Sequence, residues 1–291
     1  MKLHSDSIRK TVSALRNRIS GKPDNWIPVS EESSRRSLSA PSRRLCAVTD
    51  LGRCRRNNED KYFLSTDCRL WIVADGMGGH AAGEVASALT IEAIAASMDS
   101  PGEQRPAAAH RVSAGDRLQN AFAAAQNLVL GHSLKDNRCQ GMGSTAIAGF
   151  MDGEALYLCH VGDVRGYHWS EGQFSLVTND HSLVWDLVRS GLMSPEEARF
   201  HSERGKVTQA IGSLKGIRPD LARLALKPRD RILLCSDGLW EELADRDICK
   251  IVGSEGSMRE LASLLVDQAN QAGGKDNITA VLYEHTAARD G

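Results

Sequence analysis

The 291-residue chain lacks the features that define several protein classes. Its seven cysteines form no C-x-x-C pair, and several lie in apolar runs, which favours reduced thiols over a disulfide framework or a zinc site. No run of about 18 apolar residues is present, so we expect no membrane span. The basic N-terminus is not followed by an apolar core, so we expect a cytoplasmic protein without a secretory signal.

A strong overall charge is also absent. The formal net charge of −1 gives no indication of nucleic-acid binding, so we expect no nucleic-acid partner. The charge is unevenly placed, because residues 1–44 hold ten Lys and Arg against four Asp and Glu. We interpret residues 1–44 as a basic, flexible N-terminal extension.

This extension has two parts. Residues 7–19 have apolar side chains at helical spacing, which is typical of a solvated helix or of an amphipathic helix that docks on a partner or an anionic surface. The sequence leaves both interpretations open. Residues 21–44 are rich in Ser, Arg and Pro without periodicity, so we predict a linker there.

From residue 45 to residue 286 the sequence predicts one densely structured domain, followed by a tail at 287–291. Hydrophobic patterning predicts strands at 45–49, 62–65, 70–74, 144–150, 155–161, 166–169, 174–177, 221–226, 231–235 and 278–284. It predicts helices at 84–98, 117–130, 182–190, 194–200, 245–252 and 258–272. Consecutive strands joined by tight turns favour antiparallel sheets, and adjacent amphipathic helices favour a helical layer on a sheet. We therefore expect an α+β fold.

The segment 70–83, LWIVADGMGGHAAG, is central to the function. The apolar run 70–74 predicts a buried strand that ends at Asp75, and a buried carboxylate needs a cation beside it. The glycines also imitate a dinucleotide-binding loop. Two points argue against that alternative: Asp75 would face an anionic pyrophosphate, and the chain lacks the strand–helix alternation of a doubly wound sheet.

Other acidic residues follow apolar runs or lie in polar turns, and RILLCSDG repeats the pattern of LWIVADG. They are Glu59, Asp60, Asp163, Asp237 and Asp276. Clustered carboxylates cannot all ionise without cations. Because no His or Cys has suitable spacing, oxygen ligands favour Mg²⁺ or Mn²⁺ over zinc.

Seven motifs in order carry a family resemblance. They are GRCRRNNED, VADGMGGH, GMGSTA, HVGDVRGY, DHSLV, CSDGLWEEL and KDNITAV. The chain resembles the metal-dependent protein phosphatases of type 2C over roughly residues 45–285. The resemblance implies a four-layer αββα sandwich, in which a central antiparallel β-sandwich is flanked by helix pairs, and it makes 45–286 the catalytic domain.

The resemblance also implies roles for individual residues. Two Mn²⁺ or Mg²⁺ ions would be bridged by Asp75, with the Gly76 carbonyl as a further ligand, and Asp237 and Asp276 would complete the second ion. Glu59 and Asp60 would hold the first ion or its waters, and Asp163 would bind a third, weaker ion. Arg55 would bind the substrate phosphate, because a guanidinium matches phosphate oxygens in pairs.

The expected activity is hydrolysis of phosphoserine and phosphothreonine in proteins by in-line attack of a metal-bridging water. We expect a monomer that acts on phosphorylated proteins and, by analogy, opposes a bacterial serine/threonine kinase or acts on its forkhead-associated substrate. A catalytically silent, phosphoprotein-binding scaffold of the same fold is the alternative. Met77 stands where some relatives have a histidine, so we expect protonation of the leaving group by a metal-bound water.

Overall fold

The computed structural model describes residues 35–39 as backbone, and residues 44–78, 82–99 and 112–286. The predicted helix at 7–19, His80, most of the connection at 101–115 and the tail at 287–291 lie outside these residues. All the strands and helices predicted between residues 45 and 286 fall within them.

The described residues contain two antiparallel sheets. The six-stranded sheet has the order β1-β2-β11-β10-β7-β8, and the five-stranded sheet has the order β3-β4-β5-β6-β9. The strands are β1 Arg35–Ser39, β2 Leu45–Asp50, β3 Lys61–Leu64, β4 Leu70–Met77, β5 Gly143–Asp152, β6 Ala155–Val161, β7 Arg165–Ser170, β8 Gln173–Leu176, β9 Asp220–Ala225, β10 Arg231–Cys235 and β11 Ile278–Glu284.

The helices fall into two long pairs and three shorter elements. They are α1 Ala82–Asp99, α2 Ala114–Lys135, α3 Leu183–Arg189, α4 Pro195–Phe200, α5 Asp237–Trp240, α6 Asp245–Val252 and α7 Met258–Ala272. Serine N-caps begin α3, α4 and α7, and Ser194 forms a capping box with Glu197. No described helix is long and apolar enough to cross a membrane.

Alternation along the strands builds the four layers, because successive side chains point to opposite faces of a sheet. In β4, Ile72 and Ala74 pack with side chains of α1 and α2, whereas Trp71 and Val73 pack between the two sheets. On the six-stranded sheet, Val48 packs with side chains of α6 and α7. The predicted αββα sandwich is therefore confirmed.

Two predicted boundaries are wrong. Residues 35–39, interpreted as linker, form β1 and pair antiparallel with β2. An edge strand is held by ladder hydrogen bonds and often carries charge, so its Ser/Arg composition gave no strand signal. Strand β4 also runs beyond Ala74 to Met77, so Asp75 lies within the strand opposite Thr145 rather than after it.

The segment between α4 and β9, residues 201–219, passes beside the edge where β5 begins. We call it the flap segment. Bridges from Val207 to Ser182 and from Ile211 to Ser144 hold it. The polar, glycine-containing sequence of residues 199–217 predicts a mobile loop, and the structure shows that two bridges attach it to the domain.

Candidate metal centre

A cleft of about 630 Å³ opens where β4, β6 and β10 end and β3, β7 and β11 begin. Antiparallel neighbours bring these chain ends to the same end of the sandwich. The predicted site residues that line the cleft are Arg55, Glu59, Asp75, Gly76, Asp163, Asp237 and Asp276. Asp60 is buried and does not line it, with 2% of its surface exposed.

Gly76 lies in a position that excludes a side chain. A Cβ there would lie 2.0 Å from the carbonyl oxygen of Gly83. A Cβ on Gly83 would in turn lie 2.2 Å from Glu59 Oε2 and 2.7 Å from the Gly76 carbonyl oxygen. The glycines therefore allow the Gly76 carbonyl and the Glu59 carboxylate to approach the same region.

Asp237 is positioned by a feature that the sequence did not predict. It is the first residue of the one-turn helix α5, immediately after β10. Gly238 packs against the Asn277 backbone, where a Cβ would lie 2.1 Å from the carbonyl oxygen. Asp237 Oδ1 is buried and has no hydrogen-bond partner.

Asn277 organises the loops on the opposite side of the cleft. Its Oδ1 accepts the Glu59 N–H at 2.8 Å, and its Nδ2 donates to the carbonyl oxygens of Leu51 and Asn57 at 2.9 and 3.0 Å. Its own N–H donates to Asp276 Oδ1 at 2.7 Å. Four hydrogen bonds of Asn277 therefore connect the loop around Asp276 to the segment that carries Leu51, Asn57 and Glu59.

Asp60 lies beneath the cleft among hydroxyl groups. Its Oδ2 accepts from Thr279 Oγ1 at 2.6 Å and from Ser236 Oγ at 2.7 Å, while Oδ1 is buried without a partner. Burial raises the pKa of Asp60 to about 6, and the two hydroxyl donors limit that rise.

Three further carboxyl groups in the cleft, those of Asp75, Asp237 and Glu59, also resist ionisation. Burial, and then the charges of Asp60 and Asp237, raise the pKa of Asp75 well above its usual range. Burial, and then the charges of Asp163 and Asp276, do the same to the pKa of Asp237. Burial raises the pKa of Glu59 as well.

Asp163 lies in the turn between β6 and β7 and is 4% exposed. Burial, and then the charge of Asp180, raise its pKa to about 7. Its carbonyl oxygen accepts from Trp240 Nε1 at 3.0 Å. Arg165 forms a bidentate ion pair with Asp180 and lies 3.7 Å above the Trp240 ring. Between Asp163 and Arg165, Val164 is fully buried between the two sheets.

Arg55 stands at the mouth of the cleft with 54% of its side chain exposed. Its guanidinium forms an ion pair with Asp276. A cationic group here is available to solvent and to an incoming anion.

The residues fit divalent cations. Asp60 Oδ1 and Asp237 Oδ1 are buried without donors, and the pKa values of Asp75 and Asp237 are raised by burial and then by neighbouring carboxyl charges. Such a cluster needs protons or cations, and hard oxygen donors select Mg²⁺ or Mn²⁺.

Two other groups place three potential ligand atoms within 4.8 Å of one another. In the group at Cys139, both Asp136 oxygens accept hydrogen bonds from Arg138. In the group at His160, the His181 Nδ1 accepts an N–H, which places the proton of the neutral ring on Nε2. Neither arrangement suits a cation as well as the cleft does.

A family model described as protein phosphatase 2C matches residues 54–282. The chain belongs to the protein phosphatase 2C family. Among curated relatives, the serine/threonine protein phosphatase PstP of Mycobacterium tuberculosis is 38% identical over 242 residues, which cover 83% of this chain and 45% of PstP. A putative protein phosphatase 2C-type of Streptococcus pyogenes is 35% identical over 83% of this chain and 97% of its own length. The chain thus spans about half of PstP.

A solved structure of a protein phosphatase is also similar to this chain. The catalytic domain of PstP in complex with two manganese ions has a TM-score of 0.72 and 33% identity, covering 87% of this chain and 99% of that chain. This likeness agrees with the two-sheet architecture of the protein phosphatase 2C fold.

One segment of this phosphatase 2C chain, CHVGDVR, has the spacing of a different phosphatase chemistry. Cys159 and Arg165 match the C-x₅-R pattern of phosphatases that use a cysteine nucleophile. Cys159 is fully buried in β6, and burial raises its pKa, which opposes the reactive thiolate. Arg165 is paired with Asp180 rather than directed at a phosphate.

Sequence reasoning missed several contributors to the phosphatase 2C site. Ser236 and Thr279 bind Asp60, and Ser202, Arg204 and Glu241 line the cleft. Ser236 immediately precedes Asp237 in CSDG, so its position in the motif was a usable signal. Thr279 looks like an ordinary strand residue, and only the packing of the two sheets against each other brings it to Asp60, which directly precedes β3.

Proposed function

We propose that this chain hydrolyses phosphoserine and phosphothreonine in proteins at a binuclear Mn²⁺ or Mg²⁺ centre. The supporting observation is the convergence of Asp75, Asp237 and Asp276 on one cleft with Arg55 at its mouth. Buried carboxyl groups that raise one another's pKa values destabilise a fold when no cation is bound. Groups with perturbed pKa values are common at functional sites.

In this proposal Asp75 would help to hold both ions, since its carboxyl group interacts with those of Asp60 and Asp237. Asp237 and Asp276 would complete the set of ligands for the second ion. The Gly76 carbonyl, Glu59 and Asp60 would hold the first ion directly or through water. Asp163 would hold a third, weaker ion. This assignment uses every carboxyl group in and beneath the cleft that the sequence singled out.

Arg55 would bind the phosphate of the substrate. Its exposed guanidinium can exchange the Asp276 carboxylate for phosphate oxygens, which it matches two at a time. Bound divalent ions lower the pKa of a coordinated water and neutralise charge on the phosphoryl group. Arg55 adds a fixed positive charge on the same group as the reaction proceeds.

Met77 lines the cleft but carries no proton to donate. No histidine is among the described residues that line the cleft. We therefore propose that a water in the cleft, made more acidic by a bound divalent ion, would protonate the leaving group in place of Met77. His80 lies outside the described residues.

The proposed partners are phosphorylated proteins. By analogy with bacterial relatives, the chain would oppose a serine/threonine kinase or act on the forkhead-associated substrate of that kinase. PstP and the other relatives support the substrate class by name. We also propose that the chain acts as a monomer in the cytoplasm.

Phosphate release from phosphoserine and phosphothreonine peptides tests the proposal. The purified chain should release phosphate with Mn²⁺ and stop when EDTA is added, and Asp237→Asn should lower kcat by at least about 100-fold, on the order expected for a lost catalytic metal. Asp116→Asn, on the exposed start of α2, is the matched control and should keep full activity. Absence of metal-dependent release, or an unchanged Asp237→Asn rate, would contradict the proposal and favour a silent binding protein.

A further inference from the structure

His181 contacts both backbone polar groups of Gly162. Its backbone N–H donates to the Gly162 carbonyl oxygen at 2.8 Å, and its imidazole Nδ1 accepts the Gly162 N–H at 3.2 Å. Gly162 has a φ of +101°, and a Cβ there would lie 2.2 Å from Thr145 Cγ2. His181 therefore fixes a constrained glycine that immediately precedes Asp163.

The imidazole of His181 is itself held in place. It is 4% exposed and stacks on the ring of His160, with 4.9 Å between the ring centroids. His160 Nε2 lies 2.8 Å from the Asn179 carbonyl oxygen, which orients the second ring. Because His181 Nδ1 accepts a hydrogen bond, its Nε2 carries the proton and faces Asp220 Oδ2 at 3.5 Å.

The same residue anchors the flap segment. The Thr208 N–H donates to the His181 carbonyl oxygen at 2.7 Å. On the following residues, the Leu183 N–H donates to the Lys206 carbonyl oxygen at 3.0 Å, and Ser182 forms a bridge with Val207. Val207 lines the cleft, so these contacts set where the flap segment borders it.

We propose that His181 is a positioning residue that couples the flap segment to the Asp163 turn. Through Gly162 it holds Asp163 towards the cleft, and through Thr208 it holds the flap segment beside the same space. Loss of the His181 contact to Gly162 would then weaken binding of the ion at Asp163 and loosen the flap segment together. This inference rests on the proposed metal role of Asp163.

Two substitutions of His181 distinguish the contact of its Nδ1 with Gly162 from the contact of its Nε2 with Asp220. His181→Asn places an amide oxygen close to the position of Nδ1, so it can still accept the Gly162 N–H. His181→Gln places its amide near the position of Nε2, so it keeps the reach towards Asp220 and leaves the Gly162 N–H without its acceptor. His168→Gln is the matched control, since His168 also pairs with an aspartate, Asp230, but lies in β7 away from this contact.

Binding of Mn²⁺, followed by electron paramagnetic resonance, is the first measurement. His181→Gln should weaken the weakest class of bound Mn²⁺ on the order of tenfold, the scale expected when a buried N–H loses its acceptor. His181→Asn should remain within about twofold of the wild type, because it restores that acceptor. His168→Gln should leave all classes of bound Mn²⁺ unchanged even if its melting temperature falls.

Hydrogen exchange of the full chain is the second measurement. His181→Gln should speed exchange at Gly162 and also at Thr208, although the Thr208 hydrogen bond is to the backbone and is retained in the variant. Asp220→Asn should shift both amides in the same direction by a smaller factor, and it provides the test if His181→Gln does not fold. Asp220 is suited to this because 47% of its side chain is exposed.

The proposal is overturned if Asn and Gln at position 181 behave alike, or if neither Mn²⁺ binding nor exchange at Thr208 responds to His181→Gln. In an Asp163→Ala background the effect of His181→Gln on Mn²⁺ binding should vanish, and its persistence would contradict action through Asp163. Failure of the proposed phosphatase activity would be seen separately, as absent turnover by the wild type, and the exchange experiment would still test the coupling.

Discussion

The backbone N–H of Glu59 donates to Asn277 Oδ1 at 2.8 Å and joins two loops that are 218 residues apart in the chain. One loop carries Glu59 and Asp60, and the other carries Asp276. A single amide side chain thereby sets the spacing between the two sides of the proposed metal centre.

Asn277→Ala should disrupt this spacing. It removes one acceptor and the donor to two carbonyl oxygens, so we expect the free energy of unfolding to fall by about 2–4 kcal/mol. Mn²⁺ affinity, measured by calorimetry, should fall as well. Asn137→Ala, on an exposed turn, should change stability by less than about 0.5 kcal/mol. Unchanged Mn²⁺ affinity in a folded Asn277→Ala protein would show that Asn277 does not organise the site.

Gly76→Ala should damage the centre for a steric reason. Its Cβ would lie 2.0 Å from the Gly83 carbonyl oxygen, so β4 or the start of α1 must shift. We expect loss of most of the phosphatase activity and a lower melting temperature. Gly131→Ala is the control, because nothing lies within 4 Å of its Cβ in helix α2, and it should stabilise the protein by about 1 kcal/mol. Full activity in Gly76→Ala would show that the site does not depend on the close approach of Gly76 to the Gly83 carbonyl oxygen.

The pH dependence of the metal-free protein tests the carboxyl cluster. The folded-state pKa of Asp163 is about 7, above the unfolded value of about 3.9, so its stabilising contribution is complete below about pH 4 and is lost as pH rises through 7. In EDTA, the wild type should therefore lose more free energy of unfolding than Asp163→Asn between about pH 5 and pH 8. Denaturant unfolding at both pH values measures this difference. An equal loss in both proteins would show that folding does not raise the pKa of Asp163.

Much of the fold follows from local sequence signals. Serine N-caps with glutamate three residues later begin α4 and α7, and alternating apolar runs give the core strands within a residue or two. The wrong boundary of β4 has a physical cause. Asp75 and Gly76 are poor strand residues, and they remain in the strand because β5 pairs with them and the Gly83 carbonyl occupies the space of a side chain.

The candidate site was only partly predictable. Aspartates after core strands can be found from the sequence, because buried carboxylates there require cations. The contacts that orient them are long-range, as shown by Thr279 and Asp60, which are 219 residues apart and 2.6 Å in space. No local pattern encodes such a contact, because Thr279 lies in β11 of the six-stranded sheet and Asp60 directly precedes β3 of the five-stranded sheet.

Anomalous diffraction at the manganese absorption edge, from crystals grown with Mn²⁺, tests the central claim most directly. The account predicts two strong peaks in the cleft, with Asp75 between them and Asp237 and Asp276 on the second ion. A cleft without manganese peaks, or manganese bound only away from Asp75, would contradict it.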